Sequence, residues 1–155
     1  MPLNNLGLVH AELWRCAQPG PDGFASLSGM RVTTIIKLND NGEYPDNLEK
    51  ANFKGDVIYD PYPRLFTVPP KAKVVATVQK IVERLKSGAC VAVRCTHGID
   101  RTGLVIGAFR IIEHGWTVKK VQEERYLYGA SPLRDIPDHA IVELLETIEA
   151  DHVKK

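Results

Sequence analysis

One short segment, residues 95–101 (CTHGIDR), begins with a cysteine and ends with an arginine. A cysteine thiolate is a nucleophile, and a guanidinium presents a planar fork of donors that matches phosphate oxygens. Gly98 lies between the two and lets the backbone curl without a Cβ in the way. This spacing predicts a phosphate-binding loop in which Cys95 attacks phosphorus, a cysteinyl-phosphate forms, and water then releases the phosphate.

The residues on either side of this loop predict a strand before it and a helix after it. Residues 89–93 (ACVAV) are apolar throughout, which is typical of a strand buried on both faces. Residues 101–114 are apolar on most sides, which indicates a central helix that ends at Gly115. A loop from a strand into a helix N-terminus points several backbone N–H groups at one place, where the helix dipole adds positive potential. Both effects stabilise a bound phosphate and the Cys95 thiolate.

Short strands alternate with helices along the rest of the chain. The patterns predict one or two strands within residues 6–18, further strands at 32–38 and 56–59, and helices at 21–29, 71–86, 117–128 and 138–152. This alternation predicts an α/β fold with a mainly parallel central sheet of about four to five strands and helices on both faces. Ligands of such sheets bind beyond the carboxyl ends of the strands, where the loop of Cys95 lies.

Composition and charge set limits on the function. The 155 residues fit one domain, 1–155, and a net charge of +1 excludes a chain whose bulk charge recruits nucleic acid or an anionic membrane. We expect no transmembrane segment, because no apolar run approaches the ~20 residues of a membrane helix. We expect no signal peptide, because the start MPLNNLGLVH has no basic region followed by an apolar one. Three cysteines are too few for a disulfide framework, which favours a cytoplasmic location. Cys90 is expected in the core. No pattern calls for a metal or cofactor or indicates an oligomeric state.

Two segments resemble a known superfamily. The sequence CTHGIDRTG, residues 95–103, resembles the signature of the cysteine-dependent protein tyrosine and dual-specificity phosphatases. The sequence LWRCAQP, residues 13–19, resembles the start of small atypical dual-specificity phosphatases, many of them bacterial. The resemblance implies a dual-specificity-phosphatase-like fold and a phosphorylated substrate.

The same resemblance implies roles for single residues. Cys95 is the nucleophile, Arg101 clamps the phosphoryl group, and Thr102 helps the thiolate leave in the second step. The loop residues expected to bind the substrate phosphate are Thr96, His97, Gly98 and Ile99. His97 is either a substrate contact at the rim or a solvated loop histidine. Arg94 departs from the family, which usually has histidine before the cysteine, so the usual hydrogen bond to the loop is lost.

Two aspartates are candidates for the general acid that protonates the leaving oxygen. Asp100 is adjacent to Arg101, as in myotubularin-like phosphatases, and we favour it; its alternative role is a helix N-cap. Asp60 lies in YDPYPRLFTVPP, where the family's acid loop falls, but it is earlier relative to the proline pair at residues 69–70 than the usual aspartate. Phe66 lies nearer that position and cannot donate a proton.

The substrate class stays open at this point. A phosphoprotein, a phosphoinositide and an inositol polyphosphate all fit the predicted phosphatase. One alternative is an RNA 5′-triphosphatase or polynucleotide 5′-phosphatase, because capping-type enzymes share CTHG and RTG but have Asn where this chain has Asp100. Another is a catalytically inactive phosphate-binding module. The basic residues that could surround the site, or be ordinary solvated cations, are Arg15, Lys37, Arg64, Arg125 and Arg134.

Overall fold

The computed structural model describes residues 3–40, 42–62, 68–133 and 138–152. The strands are β1 (Gly7–His10), β2 (Leu13–Cys16), β3 (Thr34–Lys37), β4 (Asp56–Tyr59) and β5 (Val91–Arg94). The helices are α1 (Pro21–Gly29), α2 (Asp46–Asn52), α3 (Lys71–Lys86), α4 (Asp100–His114), α5 (Val118–Leu127) and α6 (Asp138–His152). The five strands form one sheet in the order β1-β2-β5-β3-β4. Only the β1–β2 pair is antiparallel, so the predicted mainly parallel sheet is confirmed.

Strand β5 lies in the middle of the sheet, between β2 and β3. All of its residues are buried, which explains its uninterrupted apolar sequence before Arg94. Arg94 is level with Cys16 on β2 and with Lys37 on β3. Because these three strands are parallel, the residues that follow them lie along one edge of the sheet, and Cys95 is at its centre.

Helices cover both faces of the sheet. One buried cluster joins the sheet to α3, α4 and α6, and a second lies against α1 and the residues around α2. Helix α4 is buried along nearly its whole length, as its apolar sequence predicted. It ends at Gly115, whose φ of 69° is the left-handed conformation that glycine adopts at a helix C-terminus.

Several boundaries differ from those predicted. Helix α4 begins at Asp100, and Ile99 is its N-cap, so the interpretation of Asp100 as an N-cap is wrong. Helix α2 was not predicted. Among its described side chains, Glu49 is buried while Leu48 is 47% exposed, so no apolar periodicity marks this helix. Among the helices in the described ranges, none has both the length and the apolar character needed to cross a bilayer.

Candidate active site

The Cys95 thiol lies directly after the central strand and beside the first turn of α4. The residue is only 2% exposed. The hydroxyl of Thr102, which is fully buried, donates a hydrogen bond to Cys95 Sγ at 3.0 Å. This contact brings the two residues together across the loop. Because Thr102 lies in the first turn of α4, the donor on Cys95 Sγ comes from the positive end of that helix.

Arg101 is held by a carboxylate that the sequence did not point to. Its Nη1 and Nη2 atoms each donate to one oxygen of Glu43 at 2.8 Å. Nη2 also donates to Thr96 Oγ1 at 3.2 Å, and the Thr96 hydroxyl donates to Glu43 in turn. Glu43 follows β3, so the parallel alignment of β3 with β5 was the one signal that could have placed it near the loop.

The Glu43–Arg101 pair stays ionised over a wide pH range. The hydrogen bond from Arg101 lowers the pKa of Glu43 from 4.5 to about 2, against the opposing effect of burial. Burial lowers the pKa of Arg101, but the bond to Glu43 and the charge of Cys95 outweigh it and raise that pKa. Because the pKa of Glu43 is lowered on folding, the pair is complete above pH 4.5 and is lost only as the pH falls toward 2.

Replacing Glu43 with glutamine should lower kcat/KM by between about tenfold and a hundredfold, because the guanidinium loses its bidentate partner and its fixed orientation. The loss should be the same at pH 5 and at pH 7, where Glu43 is ionised in the wild type. Steady-state kinetics at both values measure this. Glu113→Gln, on the exposed side of α4, is the matched control. An unchanged kcat/KM for Glu43→Gln would show that Arg101 needs no such partner.

Gly98 makes the tight turn at the back of the loop. Its φ is +70°, and a Cβ there would lie 2.7 Å from the backbone nitrogen of Ala17 and from the carbonyl carbon of Cys16. Only glycine fits this close approach to the end of β2. The neighbouring His97 is exposed at the rim of the loop, while Ile99 and Thr96 are partly buried.

Arg94 occupies the position where the family usually has histidine. Its guanidinium is fully buried and forms an ion pair with Glu49, which is also fully buried. Nη1 donates to Asn39 Oδ1 at 2.9 Å, and Asn39 Nδ2 donates to Thr96 Oγ1 at 3.2 Å. The expected loss of the hydrogen bond to the loop is therefore offset, because Arg94 reaches the loop through Asn39. The charge of Arg94 is balanced by Glu49.

Replacing Glu49 with glutamine should lower the free energy of unfolding by about 3–5 kcal/mol, because the Arg94 charge then lies buried without its counter-ion. Chemical denaturation followed by circular dichroism measures the change. Glu146→Gln is the control, since this residue is exposed on α6. Equal unfolding midpoints for the two variants would contradict the importance of this buried pair.

The two candidate acids differ in their surroundings. Asp60 follows β4 and is 4% exposed. Its carboxylate accepts from Lys73 at 2.8 Å and Thr77 at 2.6 Å, and Lys80 Nζ lies 3.3 Å away. Burial raises the pKa of Asp60, but the lysine and threonine contacts outweigh it and leave that pKa below its ordinary value. Asp100 is the first residue of α4, is 9% exposed, and precedes Arg101.

The basic residues considered from the sequence are not solvated cations where the structure describes them. Lys37 is buried and donates to the Tyr44 carbonyl, and Arg125 pairs with Asp138 at 2.8 Å. Arg15 is buried and donates to the Gly98 carbonyl of the loop at 2.9 Å. Arg64, Arg134 and Phe66 lie outside the described residues.

The other two cysteines are buried and carry free thiols. Cys90 precedes β5 and is 5% exposed, which confirms the predicted core position. Cys16 ends β2, and burial raises the pKa of its thiol to about 12. Cys16 is therefore a neutral thiol at physiological pH, although it lies next to the strand that leads to Cys95.

Comparisons with known proteins give a consistent result. A model of the tyrosine phosphatase family matches residues 1–155. The dual specificity protein phosphatase TpbA of Pseudomonas aeruginosa is 27% identical over 143 residues, which cover 88% of this chain and 60% of TpbA. The inositol diphosphatase DSP4 of Arabidopsis thaliana is 25% identical over 157 residues, which cover 98% of this chain and 77% of DSP4. The chain spans only 53% to 60% of the length of some curated relatives.

Solved structures share the fold. A mutant form of Tk-PTP superposes with a TM-score of 0.80 at 19% identity, covering 94% of this chain and 95% of the other. The core catalytic domain of the PP-IP phosphatase SIW14 from S. cerevisiae gives a TM-score of 0.77 at 18% identity, covering 94% and 86%. Because the identities are only 18% and 19%, these structural similarities establish the fold of the chain and nothing further.

Proposed function

The chain belongs to the tyrosine phosphatase family, and we propose that it hydrolyses phosphomonoesters of proteins or of inositol phosphates through a cysteinyl-phosphate. The hydrogen bond from Thr102 to Cys95 Sγ, at the N-terminus of α4 and next to Arg101, is the observation that carries this proposal. The relative TpbA is named a protein phosphatase, and the relative DSP4 is named an inositol diphosphatase, which supports proteins and phosphorylated inositols as the two substrate classes. The near-neutral net charge of +1 gives no support to a nucleic-acid substrate.

In the first step the Cys95 thiolate attacks phosphorus. An S–P bond forms while the bond between phosphorus and the leaving oxygen breaks. Arg101 and the backbone N–H groups of residues 96–101 bind the phosphate oxygens and stabilise the charge that develops on them. Asp100 gives its proton to the leaving oxygen, so that the product departs as a neutral alcohol or phenol.

In the second step water attacks the cysteinyl-phosphate. Asp100, now ionised, accepts a proton from the water as the new P–O bond forms and the S–P bond breaks. The electron pair of that bond returns to Cys95 Sγ, where the Thr102 hydroxyl donates to the departing thiolate. Inorganic phosphate then leaves, and the enzyme regains its starting protonation state.

The contacts of Asp60 favour Asp100 as the general acid. The two lysines and Thr77 around Asp60 hold its carboxylate in the ionised form, which has no proton to donate. Asp100 instead lies at the same loop as the nucleophile, one residue before Arg101. These positions support a proton donor that belongs to the phosphate-binding loop itself.

The test is inorganic phosphate release from a substrate panel in the presence of a metal chelator, with Cys95→Ser as the blank. The panel contains a phosphotyrosine peptide, a phosphothreonine peptide, phosphoinositides, inositol hexakisphosphate and 5′-triphosphate RNA. Release from the peptides or the inositol phosphates supports the proposal. Release from the RNA alone would assign the chain to polynucleotide ends. No release from any substrate by folded protein would indicate a phosphate-binding module and overturn the proposal.

A further inference from the structure

Three successive carbonyl groups of the loop accept hydrogen bonds from residues outside it. The Thr96 carbonyl accepts from the backbone N–H of Gln18 at 3.0 Å. The His97 carbonyl accepts from Asn5 Nδ2 at 3.3 Å. The Gly98 carbonyl accepts from the same Asn5 nitrogen at 3.2 Å and from Arg15 Nη2 at 2.9 Å. The outer side of the loop is therefore fixed by donors from the segment before β1, from β2 and from the residues just after β2.

The direction of these carbonyls determines the direction of the following N–H groups. In a planar trans peptide the C=O and N–H bonds point in opposite directions, and the described part of the chain has no cis peptide bond. The N–H groups of His97, Gly98 and Ile99 consequently face away from Gln18, Asn5 and Arg15. None of these three N–H groups donates to another residue that the structure describes, so they are available to an anion.

The glycine in this loop makes such external support necessary. Gly98 has a φ of +70°, and glycine populates both positive and negative φ with similar ease. The peptide units on its two sides are therefore the ones in the loop that rotate most readily. A rotation of either would turn a carbonyl oxygen toward the phosphate, where it would repel the anion instead of binding it.

We propose that Asn5 and Arg15 are positioning residues that hold the peptide units of His97 and Gly98 so that the N–H groups of Gly98 and Ile99 face the phosphate. This inference rests on the proposed function, because it assigns these two residues to the binding of the phosphate at that same site. It also gives a role to Arg15 in the segment LWRCAQP, which the reaction itself does not use.

The surroundings of Arg15 argue against a purely structural role. Its guanidinium is 1% exposed and stacks on the Tyr128 ring, with Cζ 3.8 Å from the ring centroid. Its Nε and Nη1 have no hydrogen-bond partner within the described part of the chain. Buried donors without acceptors cost stability, and an apolar side chain would fill the same space at lower cost. An apolar side chain could pack against the Tyr128 ring, but it could not donate the hydrogen bond to the Gly98 carbonyl.

Asn5 links the loop to the end of α5. Its Nδ2 also donates to the Tyr128 carbonyl at 2.8 Å, directly after α5. The same tyrosine therefore receives the Asn5 amide on its carbonyl and the Arg15 guanidinium on its ring. Asn5 is only partly buried and has a φ of +55°, in the left-handed region that glycine adopts without strain, so Asn5→Gly removes the amide and leaves both the core and the backbone conformation intact.

The test uses Asn5→Gly and Arg15→Lys with two matched controls. Asn52→Gly removes another Nδ2 that donates to a carbonyl, that of Leu48 at 2.9 Å. Arg110→Lys alters another buried arginine that stacks on an aromatic ring, Trp116, at 4.2 Å. The readouts are the rate of Cys95 alkylation by iodoacetamide at pH 6 and the concentration of inorganic phosphate that halves this rate.

We expect alkylation to slow about tenfold in both test variants and the protecting phosphate concentration to rise about tenfold, because fewer N–H groups face the thiolate and the anion. The controls should stay close to the wild type. Test variants that behave like the controls would overturn the inference. If Arg15→Lys shows no cooperative melting transition, Asn5→Gly alone decides. Neither readout needs turnover, so absence of phosphatase activity would refute the proposed function without deciding this inference.

Discussion

Replacing Cys95 with serine should reduce phosphate release by at least about a thousandfold, because a serine hydroxyl is not ionised near neutral pH and forms no cysteinyl-phosphate. The hydrogen bond from Thr102 stabilises a departing thiolate, and it cannot make an alkoxide a comparable leaving group. Initial rates of phosphate release on the best substrate of the panel measure the effect.

Cys90→Ser is the matched control for this experiment. Cys90 is also a buried free thiol, but it precedes β5, at the opposite end of the strand from the loop. We expect this variant to keep its turnover rate while losing some stability. Similar rates for Cys95→Ser and the wild type would contradict covalent catalysis at this thiol and with it the proposed two-step reaction.

Replacing Asp100 with asparagine should lower kcat by about a hundredfold to ten-thousandfold on a poor leaving group, because no acid then protonates the departing oxygen. On para-nitrophenyl phosphate the effect on kcat/KM, which reports only the steps up to departure of the leaving group, should nearly disappear, since that leaving group departs as a stable anion. Comparing kcat/KM for a phosphothreonine peptide or an inositol phosphate with kcat/KM for para-nitrophenyl phosphate separates this proton transfer from the role of Asp100 in the second step and from general damage to the site.

Asp60→Asn is the decisive counterpart, because it removes the same charge from the other candidate. We expect this variant to lose stability, because the contacts of the carboxylate with Lys73, Lys80 and Thr77 are weakened, and to keep the ratio of the two kcat/KM values. If Asp60→Asn alone lowers kcat on the poor leaving group, the assignment of the acid to Asp100 is wrong.

The part of the site that could be predicted from the sequence is contiguous along the chain. Cys95, Gly98 and Arg101 lie in one short segment, and an apolar strand before it and a helix after it complete the pattern. Local rules for strands, loops and helix N-termini are enough to place such residues relative to one another. The alternation of strands and helices gave the parallel sheet by the same kind of rule.

The parts that could not be predicted depend on contacts between distant segments. Glu43 reaches Arg101 across 58 positions of sequence, and Asn5 reaches Gly98 across 93. A single polar residue in a turn carries no periodicity that would distinguish it from a solvated one. Helix α2 could not be predicted for a related reason. Its buried position is taken by Glu49, which pairs with Arg94, so the helix has no apolar face that a periodicity would reveal.

The central position of β5 has a consequence for how the protein opens. A strand paired on both sides exposes its amide groups to water only when the sheet itself separates, whereas edge strands such as β1 and β4 can fray alone. Helix α4, which follows the loop, is buried along nearly all of its length. The loop of residues 95–99 joins these two elements, so its two ends move apart only when the fold opens as a whole. On heating, Cys95 and Arg101 should keep their relative positions until that global unfolding, and subglobal fluctuations at the edges should leave them in place.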